Sequence, residues 1–191
     1  RKSLQVLHEE WSSCTACELG KRRVSVNGAF VAGEGVRRGV MFIGEGPGVT
    51  EEEEGRPFVG KSGGLLRDLL NKLQFTDFYI TNLVTCRACE PRLDDAGQQI
   101  FKKRRNAPDI PLYKDKVPLP TQIEACRPRL HEEIYIVDPI LIVTLGATAA
   151  EHVLGRSVAI TKERGRTQHA TIPGGTLRPV LTDKKQVWGR K

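Results

Sequence analysis

Val40 to Gly64, VMFIGEGPGVTEEEEGRPFVGKSGG, carries most of the information about the fold. Val40-Met41-Phe42-Ile43 is an apolar run of the length of a buried strand. The turn Gly44-Glu45-Gly46-Pro47-Gly48 follows, then four glutamates, Glu51 to Glu54, then Gly55-Arg56-Pro57-Phe58-Val59-Gly60. A leucine-rich helix begins near Ser62. Strand, glycine loop and helix in that order suit a ligand cradle, because glycine lets backbone N–H groups approach a ligand closely. Gly55 to Ser62, GRPFVGKS, meets the spacing G-x-x-x-x-G-K-[ST], but the acidic segment separates it from the strand, so a nucleotide loop is not expected here; G-x-G-x-x-G is absent. The plain alternative is an α/β turn that binds nothing.

Working outward, Leu4, Leu7, His8 and Trp11 have helical spacing and predict a short helix before Ser12. Residues 24–39, punctuated by four glycines, read as a loop or short hairpin. Leu65, Leu66, Leu69, Leu70 and Leu73 share one face of a helix over 62–73. Strands are expected at Phe78–Val84, Ile140–Leu145 and Arg178–Thr182, with Val158–Ile160 as a short edge strand. Thr121-Gln122-Ile123-Glu124 has the form of a capping box opening a helix that Asp138-Pro139 stops. Gly155 closes a further helix, Ala147–Leu154. Residues 87–120 hold five prolines and the cluster Lys102-Lys103-Arg104-Arg105, and read as an irregular, mobile surface insertion. Strands alternating with helices predict a three-layer α/β fold: a central, mostly parallel four-stranded sheet flanked by helices. The whole chain, 1–191, is expected to be one domain.

That length buries about 70% of the surface of the unfolded chain. No apolar run approaches the ~20 residues of a membrane helix, and no signal-peptide core is evident, so an intracellular location is expected. The net charge of +7 suggests a polyanionic partner such as nucleic acid, although it also serves solubility. Five cysteines without an export signal favour metal ligation over disulfides. Cys14-x-x-Cys17 is a two-ligand hook whose partners come from Cys86, Cys89 and Cys126. On spacing alone, Cys86-x-x-Cys89 would complete a zinc site.

GEGPG-x-x-E-E-x-x-GRPFVG resembles the first motif of the iron–sulfur (family 4) uracil-DNA glycosylases. Ile80-Thr81-Asn82-Leu83-Val84-Thr85-Cys86-Arg87, Ala125-Cys126-Arg127-Pro128 and Val143-Thr144-Leu145-Gly146-Ala147-Thr148-Ala149-Ala150 are similar to that family in the same order, from about Cys14 to Thr182. The resemblance implies a 4Fe–4S cluster on Cys14, Cys17, Cys86 and Cys126, with no place for Cys89. It implies an enzyme that takes uracil out of the DNA stack and hydrolyses its N-glycosidic bond in base excision repair. Phe58 would stack on the base; Asn82 would read its edge; Gly46, Pro47 and Gly48 would wall the pocket. Glu51 would serve the chemical step, and Glu45 would sit beside C5, where a thymine methyl would clash. Without the resemblance, Phe58 reads as a core aromatic, Asn82 as a strand-end residue and the glutamates as a solvated segment. DNA is the implied partner, with Lys102 to Arg105 as weaker contacts and a nucleoid location; a replication or repair protein partner is conceivable on the same grounds.

Two departures stand out. Family members have a short link where this chain has 39 residues between Cys86 and Cys126. They also carry a His-Pro-Ser loop after the last strand, whereas Thr182 here runs into Asp183-Lys184-Lys185-Gln186-Val187-Trp188, which resembles the helix beyond that loop. Either the loop was lost in evolution or the sequence skips residues that the protein has. His8, His131 and His152 lie on expected helices as packing or surface groups, and His169 is a weak substitute. Two rival readings therefore stand beside the enzyme: a non-catalytic iron–sulfur DNA-binding module of a replication or repair assembly, and a zinc-stabilised structural domain that needs Cys89 as a ligand.

Overall fold

The computed structural model describes residues 2–103, 105, 109–172 and 176–183. Arg104 and the tail from Lys184 to Trp188 lie outside the described residues.

The expected N-terminal helix forms as α1 (Leu4–Ser12), with the Ser3 hydroxyl capping the Val6 N–H. A second helix, α2 (Glu18–Ser25), occupies a segment not read as helical. Its sequence, ELGKRRVS, is too charged to show an apolar stripe, but Glu18 at its start and Arg22 and Arg23 at its end suit the helix dipole. Then come β1 (Glu34–Gly35), β2 (Val40–Gly44), α3 (Val49–Glu54), α4 (Lys61–Lys72) and β3 (Phe78–Asn82).

The insertion is not irregular: it folds into two antiparallel ladders. β4 (Cys89–Pro91) pairs with β7 (Tyr113–Asp115), and β5 (Phe101–Lys102) pairs with β6 (Ile110–Pro111). Its base is anchored by charge. Arg87, buried after β3, donates from Nε to Asp115 at 2.6 Å and approaches Glu52 at 3.7 Å, while Arg22 stacks over the Tyr113 ring at 5.5 Å. The irregular reading failed because the strands are only two or three residues long, below what alternation can reveal.

α5 (Pro120–Val137) starts one residue before the expected capping box. Gln122, not Glu124, reaches back, its Oε1 accepting from the Leu119 N–H at 2.8 Å, and Pro120 takes the first turn, where its missing N–H costs nothing. The helix stops at Asp138, in the left-handed region at φ 50°. β8 (Leu141–Leu145) and α6 (Ala147–Leu154) follow as expected. The expected strand at Val158–Ile160 is instead the entry to a short helix, α7 (Ile160–Glu163). There, Glu151 and Glu163 carboxylates take the Val158 and Ala159 N–H groups, so no ladder partner is needed. β9 (Thr167–Ile172) was missed because its polar composition hides the period, and β10 (Thr176–Asp183) is the last strand.

One sheet has the order β1-β3-β2-β8-β10-β9. Its four inner strands are mutually parallel, as expected, and antiparallel β1 and β9 extend it at each edge. Alternation splits the core. Phe42, Ile80 and Val143 point to one face, where Leu66 and Leu70 of α4 cover them. Met41, Ile43, Tyr79 and Ile142 point to the other, under Leu4 of α1, Ile123, Leu130, Ile134 and Val137 of α5, and Ala149 of α6. Helices on both faces make the three layers. The chain runs from β2 to β3 on one side, then crosses back to β8 on the other, so β2 ends at a topological switch point. In open α/β sheets, ligands bind beyond the carboxyl ends of strands at such a point.

Candidate active site

The register pairs Gly44 at the end of β2 with Asn82 at the end of β3. Beyond them opens a cavity of about 690 Å³, large enough for a nucleotide-sized ligand. Glu45, Gly46, Pro47, Gly48, Glu51, Phe58 and Asn82 all line it.

Two glycines let the base-sized wall form. A Cβ on Gly44 would lie 2.5 Å from the Phe58 ring and 2.6 Å from Asn82 Oδ1, so ring and amide converge over the strand end where no side chain intervenes. A Cβ on Gly63 would lie 2.2 Å from the Phe58 carbonyl carbon, so only glycine in α4 lets the Phe58 backbone rest there. That backbone is itself unusual: Phe58 has φ 56°, in the left-handed region an aromatic residue rarely enters. Arg67 holds it, donating to the Phe58 carbonyl at 2.8 Å and the Pro57 carbonyl at 2.6 Å, and itself pairs with Glu34. Strain held this way is common at functional sites. Asn82 is 4% exposed, although it lines the cavity.

Glu51 sits in the first turn of α3 rather than in a solvated segment. Its Oε1 accepts from the N–H groups of Val59 (3.0 Å) and Gly60 (2.7 Å), and its Oε2 from Gly48 (3.1 Å). One carboxylate therefore ties the GEGPG turn to the start of α4 and fixes the two loops against each other. Oε2 keeps room for a further hydrogen bond from the cavity. Glu45 accepts from the Thr148 hydroxyl at 2.8 Å, at the first turn of α6. Thr148 escaped the sequence reading; its place just after β8, on the carboxyl-end side of the sheet, was the signal that could have found it.

The insertion reaches this cavity too. Asp115, Lys116 and Pro118 line it, which nothing in their sequence foretold. Lys102, Lys103 and Arg105 are exposed further out along the insertion and do not line the cavity. His131, His152 and His169 stay away from it, and His8 instead joins a buried network, 3.4 Å from both Glu133 and the Tyr79 hydroxyl.

Residues 32–188 match the model of the uracil DNA glycosylase superfamily. The chain belongs to that superfamily. It is similar to the type-4 uracil-DNA glycosylase of Thermotoga maritima, with 36% identity over 166 residues, 85% of this chain and 72% of the relative. The type-4 uracil-DNA glycosylase of Pyrobaculum aerophilum is also 36% identical, over 94% of this chain and 81% of the relative. That of Sulfurisphaera tokodaii is 34% identical over 86% of this chain and 66% of the relative.

A second, smaller cavity, of about 20 Å³, is lined by Cys14, Cys17, Cys86 and Cys126 together. Three local structures bring these thiols in: the turn between α1 and α2, the loop after β3, and the first turns of α5. Gly20 lets the turn close, since a Cβ there would lie 2.5 Å from the Cys14 carbonyl oxygen. Burial pushes the Cys86 thiol up, with the Arg23 guanidinium opposing it. Cys89 is elsewhere, in β4, where burial also raises its thiol while Arg22 and Arg87 oppose it. Among the described residues no three cysteine, histidine or acidic side chains already stand close enough to hold a metal ion. Four thiols around one cavity nonetheless form a donor set suited to an iron–sulfur cluster, and Cys89 stands apart from them. No helix among the described residues is long and apolar enough to cross a membrane.

Proposed function

We propose that this superfamily member is a uracil-DNA glycosylase acting in DNA repair: it takes uracil out of the DNA stack and hydrolyses the bond between base and sugar. The observation that carries this reading is the convergence of the Phe58 ring and the Asn82 amide over Gly44, at the carboxyl ends of β2 and β3, with Glu51 fixed beside them.

Each group answers a need of the reaction. A base removed from the stack loses its neighbours, and an aromatic face replaces them. Phe58 supplies that face. The Asn82 amide can accept from uracil N3–H and donate to O4; cytosine presents the opposite pattern, so one amide orientation discriminates. Glu45, held by Thr148, would exclude a substituent at C5. As the bond breaks, the sugar gains positive character and uracil leaves as an anion. The Glu51 carboxylate stabilises that positive charge and orients water through the open side of Oε2. Its three backbone donors keep it from moving as the charge develops, which is what electrostatic preorganisation requires.

Cys14, Cys17, Cys86 and Cys126 would hold a 4Fe–4S cluster, which supplies rigidity by cross-linking three distant segments. Chain 1–191 would act as one domain with the insertion as part of its pocket wall. DNA is the partner, and work on genomic DNA would place the protein with the nucleoid.

The deciding experiment is single-turnover excision from uracil-containing single- and double-stranded oligonucleotides. Free uracil and an intact strand with an abasic site are expected. Retained uracil-DNA binding with no excision would instead make the protein a non-catalytic module.

A further inference from the structure

Arg129 is the largest of the fully buried side chains, at 0% exposure, and it faces the strand end that carries Asn82. Its Nη2 donates to the carbonyl oxygens of Asn82 (2.7 Å) and Leu83 (2.8 Å). Its Nη1 donates to Thr81 Oγ1 at 3.2 Å and to the Glu133 carboxylate one turn along α5. Glu133, also at 0% exposure, is held in turn by the Tyr79 hydroxyl at 2.8 Å and the Thr81 hydroxyl at 2.9 Å. From the other side, the Leu83 N–H donates to the Gly44 carbonyl at 2.9 Å and the Val84 N–H to the Glu45 carbonyl at 3.4 Å. The peptide after Asn82 is therefore gripped by α5 on one side and by the GEGPG turn on the other.

This arrangement is poorly explained by stability. A buried ion pair is commonly replaceable by apolar side chains without loss. The pair is not even fully satisfied, because Arg129 Nε is buried with no protein partner among the described residues. What the planar fork achieves that an apolar side chain does not is a fixed direction for two carbonyls.

We propose that Arg129, with Glu133 as its buried counter-charge, is a positioning residue for base recognition. It fixes the Asn82–Leu83 peptide and thereby the angle at which the Asn82 amide meets the base. The idea rests on the reading of Asn82 as the group that reads the base edge.

Arg129→Lys keeps the charge but replaces the fork with a point donor, which cannot hold Glu133 and both carbonyls in one plane. Amide hydrogen exchange provides a readout independent of activity. The Leu83 and Val84 amides should exchange about tenfold faster in the variant, with exchange in α4 and α6 unchanged. Unchanged exchange at Leu83 and Val84 overturns the proposal. Single-turnover excision in a double-mutant cycle provides the functional readout. Arg129→Lys alone should slow excision at least about tenfold, because small misplacements of a recognition group are costly. In an Asn82→Ala background it should change the rate less than about twofold, because the group it positions is gone. Equal slowing in both backgrounds shows a general structural role and overturns the proposal. If Asn82→Ala itself leaves excision intact while exchange still rises, the base-reading assignment fails and the carbonyl clamp survives, so the two failures are distinct. Should Arg129→Lys not fold, Arg129→Met with Glu133→Leu removes both charges together, and the same two readouts apply.

Discussion

Glu51 has two duties in one carboxylate, and substitutions can separate them. Glu51→Ala removes the acceptor for three N–H groups as well as the charge, so both stability and rate should fall. Glu51→Gln keeps an acceptor oxygen for Val59 and Gly60 and loses the charge and the acceptor that faces the Gly48 N–H. The Gln variant should therefore melt closer to the parent than the Ala variant does, while its chemical step slows by about 100-fold, a donor-sized electrostatic loss. A Gln variant as fast as the parent would remove Glu51 from the chemistry. Asn82→Ala and Phe58→Ala should each weaken capture of the base by about 1–3 kcal/mol, read as a shift in the uracil-DNA dependence of the single-turnover rate. Glu133 gives a pH test. Burial alone would raise its carboxyl, but Arg129 and the hydrogen bonds from His8, Tyr79 and Thr81 hold it below the ordinary carboxylate value of 4.5. A depressed folded value means that Glu133 contributes stability fully above about pH 4.5 and loses it as pH falls through the folded value. Glu133→Gln should destabilise the protein at pH 7 by about 3–5 kcal/mol, and its melting-temperature gap from the parent should narrow as pH falls below about 4.5. A melting-point gap constant with pH would show that the carboxylate is not charged in the fold.

At the scale of elements, the inner sheet was legible because four buried strands wrote themselves as apolar runs beside Gly44, Asn82, Leu145 and Thr182. The edges were not: β1 is two residues long, and β9 is mostly polar, with Ala170 deeply buried. The site was legible where motif and strand end coincide, as at Asn82 and Phe58. It was illegible where distant segments meet, as at Thr148 and Asp115, because no local pattern encodes a contact across 103 or 28 residues. The cysteines illustrate the same limit. Spacing could not choose between Cys89 and Cys126, whereas the fold puts Cys126 in α5 on the small cavity that the other three thiols also line, and Cys89 in the ladder of the insertion. Cys126→Ser should accordingly bleach iron–sulfur absorption and lower the melting temperature, and Cys89→Ser should do neither. Loss of iron from Cys89→Ser with retention in Cys126→Ser would reverse the ligand assignment.

At the scale of the whole molecule, the +7 charge has two places to act. One is the pocket rim, where Lys61, Lys72 and Lys116 line the cavity. The other is the exposed Lys102, Lys103 and Arg105 on the insertion, whose base is pinned to the body through Arg87 and Asp115. A rigid base matters here, because a charge on a floppy loop loses conformational entropy when it docks, whereas one on an anchored ladder loses less. Each Lys or Arg that meets a DNA phosphate releases condensed counterions, so log affinity should fall linearly with log salt, by about 0.9 per contact on duplex DNA. Replacing Lys102, Lys103 and Arg105 with alanine should reduce the magnitude of that slope by about one per true contact and weaken binding equally for uracil-containing and uracil-free duplexes. The rate of excision at saturating enzyme should stay that of the parent, because none of the three lines the pocket. The measurement is fluorescence-anisotropy titration of both duplexes from low to physiological salt. An unchanged slope would remove the insertion from the DNA interface and leave the pocket rim to carry it; an affinity independent of salt in the parent protein would remove DNA as the partner altogether.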